Sequence, residues 1–118
     1  MSVGMRSPHY QTLEPYTVPS GGCTKMGLTK IGDTVGFFYE TKDAGELVTV
    51  VAQCNVAELA KKTGSGEAIA QGVKVYYEAA SGKLTATAGS NTLCGRCLKA
   101  AGADDTTVLV AFNGLCAA

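Results

Sequence analysis

Short apolar runs alternate with glycine and aspartate turns along most of this chain, and this pattern restricts its fold more than any other feature. The runs favour β-structure, and each one ends at a residue type that breaks strands. We predict strands at residues 26–31, 34–40, 46–54, 56–60, 73–78, 83–87, 92–99 and 106–112. This spacing is typical of an all-β fold, either a small β-barrel or a sandwich of short antiparallel strands.

Side-chain alternation supports this prediction at two places. Apolar residues occupy every second position of 73–77, and a turn ending at Gly82 leads into the next run, which predicts a hairpin. Val108, Val110 and Phe112 share one face of the last strand, because strand side chains alternate with period two. Helical alternatives stay open for 56–62 and for a single turn at 66–72.

All three prolines, Pro8, Pro15 and Pro19, lie in the first 19 residues. Proline removes a backbone donor and favours extended geometry in the residue before it. We therefore divide the chain into an extended N-terminal arm, residues 1–19, and a single β domain, residues 20–118.

Three large side chains of the arm are candidates for contact with another surface. Tyr10, Leu13 and Tyr16 lie among the prolines and carry enough apolar area to anchor an extended segment on a neighbouring subunit. The alternative is a frayed terminus that binds nothing.

The charge balance argues against a nucleic-acid partner. Ten Lys and Arg residues offset ten Asp and Glu residues, so the net charge is +0, and only 17% of the residues are charged. A nucleic-acid-binding protein needs a basic field to neutralise phosphates.

No run approaches the roughly 18 apolar residues of a membrane span, and the first residues lack the apolar segment of a secretory signal, so we expect no membrane partner and synthesis in a cytoplasm.

The five cysteines form an odd set, which favours free thiols over a disulfide framework. Cys94 and Cys97 form a CxxC, a spacing used by redox pairs and by half of a zinc site. Residues i and i+3 of a regular strand point to opposite faces, so we expect these two thiols to diverge and to pack as small hydrophobic groups. A redox or metal-binding accessory protein is the alternative function.

No other constellation predicts catalysis or a cofactor. His9, the single histidine, lies in the arm, where a catalytic geometry is hard to hold. Gly82 and Lys83 are followed by Leu84 rather than Ser or Thr, so the chain has no P-loop. We predict no catalytic, cofactor-binding or metal-binding residues, and we interpret Lys61 with Lys62 as a solvated charge pair.

The C-terminal half carries a recognisable series of segments: GSGEAIAQGVKVYYE at 64–78, SGKLT at 81–85, NTLCGRCLKAAGA at 91–103 and TTVLVAFNG at 106–114. It resembles a family of small tailed-bacteriophage proteins regarded as head decoration or capsid cement proteins. The resemblance is looser from Pro15 to Ala60. Relatives are sometimes labelled RecA-type recombinases, but 118 residues without a P-loop cannot hold that enzyme's core.

The resemblance implies binding without catalysis. Proteins of this family sit on the outer capsid surface of the virion, typically as homotrimers, and tie neighbouring capsomers together. The expected partners are therefore the major capsid protein and further copies of this chain, with no cofactor. The family also carries small or aliphatic residues where this chain has Cys94 and Cys97, which favours the packing interpretation of both thiols.

Overall fold

A computed structural model describes residues 10–116, which fold into one antiparallel sheet of eight strands with no α-helix in that range. This confirms the predicted all-β class. A single 3-10 turn, η1 (Gly114–Cys116), follows the last strand. The strands are β1 (Tyr10–Thr17), β2 (Leu28–Ile31), β3 (Thr34–Phe38), β4 (Leu47–Ala60), β5 (Lys74–Glu78), β6 (Lys83–Thr85), β7 (Thr92–Lys99) and β8 (Thr107–Asn113).

The sheet curls into a nearly closed barrel. Neighbouring strands follow the order β2-β3-β4-β8-β7-β5-β6, and a bridge between Lys61 and Leu84 brings β6 back beside the end of β4. Closure of this kind removes most free strand edges. The predicted hairpin is β5 with β6, in which Tyr77 lies opposite Leu84.

The long strand β4 organises the sheet because it is paired on both edges. Val51 lies opposite Thr12 of β1 on one edge and opposite Phe37 of β3 on the other, and β8 continues along the β3 side. The prediction of two strands here was wrong, as was the helical alternative for 56–62. The register of β4 with β8 shifts between Cys54 and Ala57. Such a bulge lets one strand bend without ending, so the sequence pattern breaks although the strand continues.

Two apolar clusters lie on opposite faces of β3 and β4. The larger one fills the barrel, where the rings of Phe37 and Phe112 meet edge to face at 5.4 Å. Val108 and Val110 are buried beside Phe112, as the alternation of β8 predicted. The smaller cluster lies outside the barrel under β1; its buried members are Val18, Cys23, Phe38, Val48 and Val50.

The segment between β4 and β5 is not helical, contrary to the alternative for 66–72. Ile69 instead pairs with Ala101 through two backbone hydrogen bonds of 2.9 Å, and its side chain is buried in the barrel. The segment is therefore a loop, and two further backbone hydrogen bonds hold it, from Gly64 N to Ala103 O at 3.0 Å and from Gly72 N to Cys97 O at 2.7 Å.

Lys61 is buried, so its interpretation as a solvated residue was wrong. Only 1% of it is exposed, and its Nζ donates to the carbonyls of Lys62 at 2.6 Å, Ala103 at 3.3 Å and Asp105 at 3.4 Å. The end of β4 and the loop before β8 thus share one ammonium group, a pattern that hydropathy does not reveal.

Candidate interaction surface

In the described part of the arm, Tyr10–Thr17 form an edge strand of their own chain. Strand β1 pairs with β4 from Tyr10 opposite Cys54 to Thr17 opposite Leu47. The ladder is irregular between Gln11 and Thr12 and again between Leu13 and Tyr16. The other edge of β1 pairs with no strand among the described residues, which leaves main-chain groups available for a partner.

Two of the three predicted contact residues lie together on the smaller cluster. Leu13 and Tyr16 are half-buried against it, and the rings of Tyr16 and Phe38 are 6.3 Å apart with a 31° tilt. The side chain of Tyr10 lies outside the described part of the structure. Part of the arm's apolar area therefore contacts its own domain, which sequence reasoning did not foresee.

The junction between the arm and the domain is fixed in place. Val18 is buried, its N–H donates to Glu46 O at 2.8 Å, and its carbonyl accepts from Gly45 N at 2.9 Å. Because these bonds join the arm to the loop before β4, any movement of the arm has to begin on the N-terminal side of Val18.

Three exposed apolar side chains that the sequence analysis missed lie in β4 or close to it. Tyr39 is 57% exposed, Val56 56% and Leu47 60%. Tyr39, Val56 and Met26 line an apolar groove of about 300 Å³. Leu47 lines a shallower hollow of about 380 Å³ with Pro15 of β1. Sequence alternation could not identify them, since the bends of β3 and β4 decide which residues leave the core.

The CxxC motif lies inside the barrel. Val75 faces Gly95 and Tyr76 faces Leu93, so Cys94 is the additional residue of a bulge. The prediction that Cys94 and Cys97 point to opposite faces was therefore wrong, because the bulge interrupts the alternation and both side chains join the same cluster.

The chemistry of Cys94 differs from that of a redox thiol. Its Sγ donates to Val75 O at 3.6 Å, and burial raises its pKa to about 12. A nucleophilic thiol needs the opposite shift, toward neutrality, because the thiolate is the reactive form. This thiol stays protonated at physiological pH, which argues against the redox alternative.

In the described region, Lys62, Glu67 and Glu78 form a cluster of charged side chains at one end of the barrel. Lys62 Nζ lies 3.1 Å from Glu78 Oε2 and 3.9 Å from Glu67 Oε2. Hydrogen bonds from Ser81 and then from Lys62 lower the pKa of Glu78. Glu67 also accepts from Thr85 Oγ1 at 2.9 Å, so the cluster joins β5, β6 and the loop after β4.

Within residues 10–116, no three potential ligands converge as a metal site, and no helix is long and apolar enough to cross a membrane. His9 lies outside the described residues. Surface features suited to recognition in this range include the free edge of β1 and the exposed apolar residues in and beside β4.

Comparisons with curated proteins and with solved structures found no match. A family model described as phage cement protein matches residues 9–112. The match runs from the residue before β1 to the next-to-last residue of β8, so it includes the edge strand, the barrel and the segments that carried the resemblance. The chain therefore belongs to the phage cement protein family.

Proposed function

We propose that this protein is a non-catalytic component of the virion that binds the outer surface of a phage capsid and ties neighbouring capsomers together. The observation that carries the proposal is the family match over nearly the whole fold. The net charge of +0 keeps the copies from repelling one another strongly on the capsid surface. Many weakly bound copies on an icosahedral lattice then add strength through multivalency.

The proposed partners are the major capsid protein and further copies of this chain, arranged as a homotrimer. Tyr39, Val56 and Leu47 support this part of the proposal, since exposed apolar side chains near strand edges are common at interfaces between subunits. The protein is made in the host cytoplasm and is carried on the outside of the capsid.

The arm contributes to attachment through Tyr10, Leu13 and Tyr16. Leu13 and Tyr16 are only half-buried on their own domain, so area remains for a neighbouring subunit. The outer edge of β1 also offers main-chain groups to a strand of that neighbour. In this proposal the arm lies between the domain and the neighbour and contacts both.

Co-sedimentation with capsids tests the central proposal. Purified protein is mixed with shells that lack it, the shells are pelleted, and its copy number relative to the shell protein is measured. We expect saturation at a fixed ratio that fits a trimer. Absence of binding, or binding that never saturates, would contradict a cement function.

Variants of β1 test the role of the arm. We expect deletion of residues 1–14 to leave a folded β domain by circular dichroism but to weaken decoration, and Tyr10→Ala, Leu13→Ala and Tyr16→Ala to produce milder losses. The matched control is Val48→Ala, which removes buried atoms from the same cluster without changing the outer surface. Undiminished decoration by the truncated protein would remove the arm from the binding surface.

A further inference from the structure

The barrel closes at a seam, the junction between β6 and the end of β4. The chain segments meet there through one parallel bridge, between Lys61 and Leu84, and Lys62 N donates to Leu84 O at 2.9 Å. By contrast, β8 pairs with β4 from Gln53 to Ala60. The seam therefore has much less strand pairing than the wall on the other side of β4.

Side chains from both sides of the seam meet in a clasp, which consists of Lys62, Glu67, Glu78 and Thr85. Lys62 Nζ, on the β4 side, lies 3.1 Å from Glu78 Oε2 of β5. Glu67, in the loop after β4, accepts from Thr85 Oγ1 of β6 at 2.9 Å, and its other carboxylate oxygen lies 3.9 Å from Lys62 Nζ. The clasp thus connects the two sides of the seam where strand pairing is sparse.

The clasp lies over buried residues of β6. Leu84 belongs to the cluster that fills the barrel, and Thr85 beside it is also buried. The side chains of Lys62, Glu67 and Glu78 are themselves only partly exposed. Ion pairs that are partly shielded from water are stronger than those on an open surface, so the clasp stabilises the closed seam.

Of the two sides, β6 is the one with fewer attachments. The loop on the β4 side is anchored elsewhere, since Gly64 N donates to Ala103 O and Ile69 pairs with Ala101. Strand β6 has three residues, its only ladder among the described strands is with β5, and residues 87–90 after it are exposed. Segments with few attachments open without unfolding the rest of a protein.

We propose that the barrel opens locally at this seam, with β6 separating from the end of β4, and that the clasp holds it closed. A closed seam also hides one edge of β6, which is otherwise free to pair with another chain. This inference concerns the isolated molecule and does not depend on capsid binding.

Acid should release the clasp, because its two carboxylates are the groups that protonate. Hydrogen bonds from Ser81 and then from Lys62 lower the pKa of Glu78 below its ordinary value of 4.5. A carboxylate with a lowered pKa stabilises the closed state at neutral pH, and this contribution is lost as pH falls through that pKa. The other titratable groups around the carboxylates bear protons at neutral and acidic pH: Lys62, Lys30, Lys83 and Tyr77.

Amide hydrogen exchange in increasing urea, followed by NMR, tests the local opening. The amide of Lys62, whose acceptor lies across the seam, should exchange through an opening that depends little on urea. Amides of β8 should exchange only through global unfolding, with a strong dependence on urea. If the Lys62 amide shows the same free energy of opening and the same urea dependence as β8, the seam does not open by itself and the proposal is wrong.

Lys62→Met tests the clasp at pH 7. We expect the protection factor of the residue 62 amide to fall at least about tenfold, while amides of β8 keep theirs. Lys99→Met, which replaces an exposed lysine of β7 away from the seam, is the matched control. A protection factor no lower than in the control would overturn the role of the clasp.

Glu78→Gln tests the release by acid while keeping the shape of the side chain. We expect the protection factor at residue 62 of the wild type to fall between pH 7 and pH 4, and that of the variant to be low already at pH 7 and to change less. Wild-type protection that is the same at both values, or an equal fall in both proteins, would overturn the assignment of the acid response to Glu78.

Discussion

At the scale of single residues, Lys61 and Cys94 are buried side chains with a polar or sulfur atom that the fold has to accommodate. Burying a charged group is unfavourable unless hydrogen bonds replace its water. Lys61 meets this condition with three backbone carbonyls, and Cys94 meets it by remaining neutral. Both groups are therefore accommodated inside the fold.

Replacing Lys61 tests the first of these roles. We expect Lys61→Met to lower the free energy of unfolding by about 2 kcal/mol, because the hydrogen bonds from its ammonium group to the carbonyls of Lys62, Ala103 and Asp105 are lost. Urea denaturation measures the change. Lys83→Met, at an exposed position of β6, should have little effect, and equal effects of the two variants would contradict this account.

The raised pKa of Cys94 predicts a loss of stability in alkali. The folded state keeps the proton up to about pH 12, whereas the thiol of the unfolded chain loses it near its ordinary value of 9.0. Between these values the folded protein holds more protons than the unfolded one, so the free energy of unfolding falls as pH rises, by up to about 1.4 kcal/mol per pH unit.

Denaturation of wild type and Cys94→Ala across this pH range measures the effect. The variant starts from lower stability, since it loses buried atoms, but its slope above pH 9 should be shallower. The difference between the two slopes isolates Cys94 from other groups that titrate there, including Tyr77, whose pKa is also raised by burial. Parallel curves would show that Cys94 does not contribute.

At the scale of elements, β4 connects two packing layers by bending. Register shifts interrupt its pairing with β1 and with β8, at different points along its length. A bulge bends a strand, and the two faces of β4 meet different layers: Val48 and Val50 face the smaller cluster, whereas Ala57 and Leu59 face the barrel. Strand β4 thus pairs with the edge strand β1 and also forms part of the barrel wall.

A close approach between elements lies at Gly114, where η1 meets β3. A Cβ atom on Gly114 would overlap the backbone carbonyl of Val35, and backbone cannot move aside as a flexible side chain can. We expect Gly114→Ala to lower the free energy of unfolding by roughly 2 kcal/mol or more, with thermal denaturation as the measurement. Gly102→Ala is the control, because its Cβ would make an ordinary contact with Asp105. A neutral Gly114→Ala would contradict this contact.

At the scale of the whole molecule, the absence of net charge limits how the protein can bind. Ten positive and ten negative residues leave no dominant field, and the candidate surface combines apolar side chains with main-chain groups. In the proposed cement function, long-range attraction to a charged shell would therefore contribute little, and the strength of attachment would depend on short-range contact and on the number of copies bound.

We therefore predict that the decoration of shells by this protein is insensitive to salt. Raising the salt concentration from about 50 to 500 mM screens surface charges, but it does not weaken apolar contact or strand pairing. We expect the fraction of protein that co-sediments with shells to change less than about twofold over this range. A steep fall in binding would indicate ion pairs with the capsid and a different docking surface.

The sequence alone determined those features that depend on local patterns. Alternation and turn residues predicted an all-β fold, the β5–β6 hairpin, the bounds of β7 and the buried face of β8, because a strand with one buried face must alternate. The motifs 64–78 and 91–103 carried the resemblance to cement proteins, and the family match confirmed it.

Only the tertiary structure decided what depends on how strands bend and meet. Bulges join β4 into one strand and bring Cys94 and Cys97 to the same face, and the loop before β8 closes over Lys61. The arm's edge pairing and the exposure of Tyr39 and Val56 also follow from contacts between residues far apart in sequence. A period-two pattern describes one regular strand. It therefore predicts neither the register shift that a bulge introduces nor the strand with which a free edge pairs.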